Sequence, residues 1–149
     1  MATTRLAPDF KEFLQLLGSA KIEYLLVGGY AVGHYGYPRA TGDLDIWVAV
    51  HEENAARLVR TLRGFGFDVP ALRSELFLEP GHIVRMGVPP VRLEILTSID
   101  GVEFAECYSR RCAERIDGVE VQIISLEDLK INKRASARHQ DLDDLDHLP

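Results

Sequence analysis

Two carboxylates occupy alternate positions of an apolar run, Asp43-Leu44-Asp45-Ile46-Trp47-Val48, and this restricts the fold more than any other stretch of the chain. Strand side chains at i and i+2 share a face, so a β-strand here stands Asp43 and Asp45 side by side while Leu44, Ile46 and Val48 enter a core. Adjacent like charges repel. A hard divalent cation between them relieves the repulsion, because Mg²⁺ takes oxygen ligands and binds through one or two carboxylates plus substrate phosphates. Upstream, Tyr24 to Val27 is a short apolar run ending in Gly28-Gly29, which reads as a buried strand entering a turn too tight for side chains. The pattern points to metal-dependent phosphate chemistry.

The rest of the composition narrows the class. A chain of 149 residues that is 46% hydrophobic is sized for one domain, residues 1–149, with a true core. Its net charge of −6 argues against broad, sequence-independent affinity for a polyanion, which rests on dense Lys and Arg. Local basic clusters, Arg110, Arg111 and Arg115 and then Lys130, Lys133 and Arg134, leave tRNA open as a partner. No apolar run is long enough for a membrane span, and Met1 to Arg5 lacks a signal-peptide core, so the expected location is cytoplasmic with no membrane partner. Cys107 and Cys112 have no second pair and no nearby His to complete a zinc set, and read as ordinary thiols. The five histidines show no metal-binding spacing.

Periodicity supplies the element order. Phe10, Phe13, Leu14 and Leu17 give a helix over Pro8 to Leu17, stopped by Gly18. Tyr30 to Tyr35 reads as a short helix, Gly36 to Gly42 as loop, and His51 to Phe65 as a helix burying Ala55, Leu58, Val59 and Leu62. A short helix is expected around Leu72 to Leu78. Strands at His82 to Met86 and Val91 to Leu96 then pair antiparallel, with Glu94 in the second. Gly101 to Ser109 reads as helix. Asp117-Gly118 between Arg111 to Ile116 and Val119 to Ile124 is a hairpin signal, since both turn residues need positive φ. Ser125 caps a helix to about Ala137, and a last helix covers Asp141 to Leu145. The expected class is α+β, a mixed sheet flanked by helices.

The hydrophobic residue plus glycine pair in Val27-Gly28-Gly29, followed after thirteen intervening residues by Asp43-Leu44-Asp45-Ile46, resembles the hallmark of the nucleotidyltransferase superfamily that includes DNA polymerase beta. Arg39-Ala40-Thr41-Gly42-Asp43-Leu44-Asp45 is similar to the Arg-x-Thr-x-Asp-x-Asp signature of small bacterial nucleotidyltransferases related to AbiEii-like abortive-infection toxins. Lys133, Arg138, Asp141 and Asp144 resemble that group's closing motif. The resemblance implies a nucleotidyltransferase-type sheet and Mg²⁺-dependent transfer of a nucleoside monophosphate from a triphosphate such as ATP. The acceptor hydroxyl would lie on tRNA, protein or a small molecule, and the protein would be a component of a toxin–antitoxin system. Asp43, Asp45 and Glu94 would be catalytic and hold two metal ions, with Glu94 as third ligand and general base. Gly28, Gly29, Arg39, Thr41 and Lys133 would contact the nucleotide.

Each assignment has a plainer counterpart. Glu94 either completes the metal site or pairs with Arg92, which has the same strand parity. Arg39 and Thr41 either shape the loop or touch phosphate. Lys133 and Arg138 either form a solvated helix face or reach the substrate, with Asp141 and Asp144 orienting them. The second functional reading is a non-catalytic nucleotide-binding or regulatory member of the fold. A chain this short would need a homodimer or partner protein to complete an acceptor site.

Overall fold

The computed structural model describes residues 5–149, and Met1 to Thr4, part of the stretch read for a signal segment, lie outside the described residues. Tyr24–Val27 (β1) is buried along its whole length, as its unbroken apolar run requires of a central strand. Asp43–Val48 (β2) pairs antiparallel with β1, setting Val27 opposite Asp45. Ile83–Val88 (β3) and Val91–Leu96 (β4) form an antiparallel pair, and β4 lies parallel to β2. On the other side of β1, Val119–Ile123 (β6) runs parallel to it and carries Cys112–Ile116 (β5) antiparallel at the edge. The sheet order is β3-β4-β2-β1-β6-β5. The fold is therefore α+β, a six-stranded mixed sheet flanked by helices.

Pro8–Ser19 (α1) buries Phe10, Phe13, Leu14 and Leu17, the stripe its periodicity defines. It meets Glu52–Phe65 (α3) through Phe13 and Phe65, whose ring centroids are 5.3 Å apart. The helix α3 is capped by His51, whose Nδ1 accepts from the Asn54 backbone N–H at 3.2 Å. Asn54 is itself buried. Its Oδ1 accepts from Glu23 N–H at 2.8 Å, and its amide donates to the Glu23 and Ala49 carbonyls at 3.1 and 2.9 Å. The hairpin turn is as its sequence demands, with Asp117 at φ 50° and Gly118 at 82°.

Several bounds move. Gly28–His34 (α2) begins at the glycine pair itself, two residues before Tyr30, so both glycines belong to the helix. The segment before β3 holds only a 3-10 turn, Ser74–Phe77, anchored by fully buried Phe77. Phe104–Ser109 (α4) starts three residues after Gly101, which sits at φ 82° against Ala135. Phe104 stacks edge-on against Trp47 at 5.1 Å and covers the inner end of the acidic face of β2. Leu126–Ser136 (α5) is capped by Ser125, whose hydroxyl accepts from Asp128 N–H. His139–His147 (α6) runs longer at both ends than its apolar residues indicate, and at its start the Asp141 carboxylate accepts from the Arg138 backbone N–H at 3.1 Å. Among the described residues no helix is long and apolar enough to cross a membrane.

Candidate active site

The parallel pairing of β2 with β4 sets Asp43 opposite Arg92 and Asp45 opposite Glu94, so all four side chains share one face. One carboxylate oxygen from each of Asp43, Asp45 and Glu94 lies within 4.8 Å of the other two. Glu94 stands directly across from Asp45 on the neighbouring strand, and its longer side chain still brings an oxygen into that group. The expected alternative pairing of Arg92 with Glu94 does not occur. Arg92 instead forks onto Asp43, Nε to Oδ1 at 3.1 Å and Nη2 to Oδ2 at 3.0 Å, while Arg85 of β3 approaches Glu94 at 3.5 Å. Both arginines face their cross-strand register partners, which lie closer than a residue two positions along the same strand.

The two aspartates are driven in opposite directions. Arg92 holds the Asp43 carboxyl below the usual range, against the pull of desolvation. Burial, then the negative charges of Glu94 and Asp43, push Asp45 up to about 7. Its Oδ1 is buried and has no hydrogen-bond partner. Three oxygen-donor carboxylates around one orphaned buried oxygen fit a hard divalent cation, which would supply the missing partner and relieve the repulsion.

The glycine pair explains the other wall. Gly28 is at φ +69°, and a Cβ there would overlap the Asp45 carboxylate; a Cβ on Gly29 would overlap the Thr41 side chain. Thr41 thus packs against the turn, with Arg39 Nη1 alongside, so the loop from Arg39 and the helix start form one surface.

Helix α6 backs that surface. Lys133 of α5 is buried, with Nζ 3.1 Å from Asp141 Oδ1 and 3.0 Å from Asp144 Oδ2, so it is not part of a solvated helix face. Arg39 forks onto Asp144 at 2.7 and 2.9 Å, and Gln140 donates to Asp144 at 2.9 Å. Arg138, largely exposed, holds Asp141 at 2.8 Å. Burial works against ionisation of both aspartates, and their cationic partners outweigh it, leaving each below the usual carboxylate range. Tyr37 extends the tie, donating to Asp143 at 2.7 Å and stacking on His147 at 4.0 Å. Asp141 and Asp144 therefore hold cations, Lys133 and Arg138 at the first and Lys133 and Arg39 at the second. Sequence reading passed over Tyr37, Gln140 and Arg85; for Arg85 the available signal was its parity across the β3–β4 turn from Glu94.

Two recesses share Gly28, Asp45, Lys133 and Arg138. One, about 530 Å³, is walled by Gly29, Arg39, Thr41, Asp43 and Arg92. The other, about 370 Å³, holds Glu94, Arg85, Ser98, Asp100 and Asn132. A groove of about 610 Å³ between α1 and the β5–β6 hairpin shares no lining residue with either.

The sheet, with its paired acids on β2 beside a third on β4, has the architecture of nucleotidyltransferases. The chain belongs to the family described as "Nucleotidyl transferase of unknown function (DUF2204)", whose model matches residues 7–149. Among solved structures it is similar to a candidate nucleotidyltransferase from Thermotoga maritima, at 16% identity and a TM-score of 0.58, with 92% of this chain and 86% of that one covered. It is also similar to an antigenic nucleotidyltransferase-like protein from Paracoccidioides brasiliensis, at 22% identity and a TM-score of 0.56, with 95% and 75% covered. Both likenesses are of fold. No curated protein matches the chain significantly.

Proposed function

We propose that the chain is one catalytic nucleotidyltransferase domain that moves a nucleoside monophosphate from a triphosphate to an acceptor hydroxyl, using Mg²⁺. The observation that carries this reading is the meeting of three carboxylates within 4.8 Å, beside a glycine that has no room for a side chain. Asp43, Asp45 and Glu94 would hold two divalent cations, which when bound neutralise charge on the leaving pyrophosphate. Gly28 and Gly29 leave the phosphates close access to backbone N–H groups, and Arg39 with Thr41 lines the same recess. Glu94 faces the second recess, where it would accept the proton of the attacking hydroxyl. Its position beside Asp45 supports catalysis over a purely regulatory nucleotide-binding role.

Lys133, anchored by two aspartates, presents a fixed positive charge where the recesses join. The polar lining of the second recess, together with the motif likeness to abortive-infection toxins, supports an RNA or protein acceptor and a place in a toxin–antitoxin system. The test is incubation with each labelled triphosphate, Mg²⁺ and pools of tRNA, protein or small molecules. Transfer that disappears in Asp45→Asn supports the reading. Nucleotide and Mg²⁺ binding without transfer to any pool refutes it in favour of the regulatory role.

A further inference from the structure

Both oxygens of Asp43 are already engaged. The Arg92 guanidinium covers them as a fork, at 3.1 and 3.0 Å, from the register position directly opposite on β4. Each oxygen keeps a further lone pair, but a cation entering beside Asp43 meets a resident positive charge on the same carboxylate and competes with it electrostatically. Arg92 is about one third exposed and sits on the wall shared with Gly28, Gly29 and Arg39, so its head has open space on the phosphate side. The side chain is long enough to leave the carboxylate while its stem stays on the strand. Guanidinium forks suit phosphate oxygens as well as carboxylates.

Resting on the metal-site reading above, we propose that Arg92 is an exchangeable counter-ion. It neutralises Asp43 when no metal is bound, and passes to the phosphates of the nucleotide when a divalent cation takes that carboxylate. Metal and nucleotide then assist each other, because the nucleotide draws away the metal's competitor and the metal frees a ligand for the nucleotide. Linkage makes that assistance reciprocal. Arg138 provides a contrast, since it lines the same recess but is engaged by Asp141, which is not a member of the acidic triad.

The experiment titrates Mn²⁺ by electron paramagnetic resonance into the full chain and its Arg92→Met, Arg92→Lys, Arg138→Met and Asp45→Asn variants, without nucleotide. Binding of inorganic tripolyphosphate is then measured by calorimetry at saturating Mn²⁺. Arg92→Met is expected to bind Mn²⁺ about three- to tenfold more tightly than the native chain, the scale of releasing a partly exposed, forked ion pair. It should bind tripolyphosphate about tenfold more weakly. Arg92→Lys should fall between, and Arg138→Met should change Mn²⁺ affinity less than about twofold, since its charge acts only through screened space. Unchanged or weaker Mn²⁺ binding in Arg92→Met, or equal tightening in Arg138→Met, overturns the exchange while leaving the metal site standing. A native chain that binds no Mn²⁺, or binds it no better than Asp45→Asn, overturns the metal site and the exchange together.

Discussion

Asp45 should make the metal-free protein less stable as pH rises, and Asp45→Asn should remove that loss. Burial and the two neighbouring acids move its pKa from 3.8 to about 7. Below pH 3.8 the carboxyl is protonated in the folded and unfolded chain alike, so folding is not penalised. Between 3.8 and 7 the unfolded chain gives up the proton while the folded chain retains it, and stability falls. Above 7 the loss is complete. At about 1.36 kcal/mol for each pKa unit, it amounts to about 4 kcal/mol. Asparagine matches the shape, carries no charge, and forfeits no hydrogen bond at Oδ1, which has none. Urea denaturation in EDTA at a series of pH values from 4 to 8 measures this directly. Asp45→Asn should match the native chain near pH 4 and exceed it by about 2–4 kcal/mol at pH 8. Excess Mn²⁺ at pH 8 should reverse the order, since the cation stabilises the native chain through a carboxylate the variant lacks. Parallel curves, or a variant less stable than the native chain at pH 8 in EDTA, would refute the argument that Asp45 is held against its charge.

Three further outcomes are expected. Gly28→Ala places a Cβ at φ +69° and against the Asp45 carboxylate, so denaturation should register a loss of at least about 1–2 kcal/mol and Mn²⁺ titration a loss of site affinity above tenfold. Asp144→Ala strips Arg39 and Lys133 of a shared buried partner and should lower stability by about 3–5 kcal/mol, read as a fall in thermal midpoint on the order of 10 °C. Asn54→Ala removes three hydrogen bonds that tie α3 to the start and end of the β1–β2 pair. It should lower stability by about 2–3 kcal/mol while Mn²⁺ affinity stays the same, which separates loss of fold from loss of site.

The parts legible in the sequence are those whose geometry is local. Asp43 and Asp45 share a face because the strand repeat is two, and Asp117-Gly118 turns a hairpin because both residues tolerate positive φ. The helix stripe of α1 is likewise a matter of spacing along one segment. What stayed hidden depends on strand order. Nothing local places β4 parallel to β2, and only that neighbour relation decides that Arg92 meets Asp43 and that Glu94 faces Asp45. The spacing along α5 left Lys133 between a solvated face and the substrate; its burial comes from two aspartates on the following helix. The length of α6 was missed for a similar reason, since its start is set by the Arg138–Asp141 cap and not by apolar spacing.

The charge pairing around the site bears on why an acidic chain would take a polyanionic substrate at all. Arg92 is matched with Asp43, Arg85 with Glu94, Arg39 with Asp144, Arg138 with Asp141, and Lys133 with Asp141 and Asp144 together. Asp45, the buried member of the acidic set, has no cation within ion-pair distance among the described residues, and neither has Asp100 at the second recess. The protein by itself thus offers a triphosphate no surplus of positive charge, and the unmatched carboxylates would repel it. If the proposed substrate binds, attraction would come from cations that arrive with it, and Asp45 is where their charge would be most needed. On the proposed exchange, a divalent ion bound there would offset the Asp45 carboxylate and, by displacing Arg92, turn an internally neutralised guanidinium into one available to phosphate. A site built in this way should show nucleotide affinity that depends steeply on divalent ion concentration, even though five basic side chains already surround it.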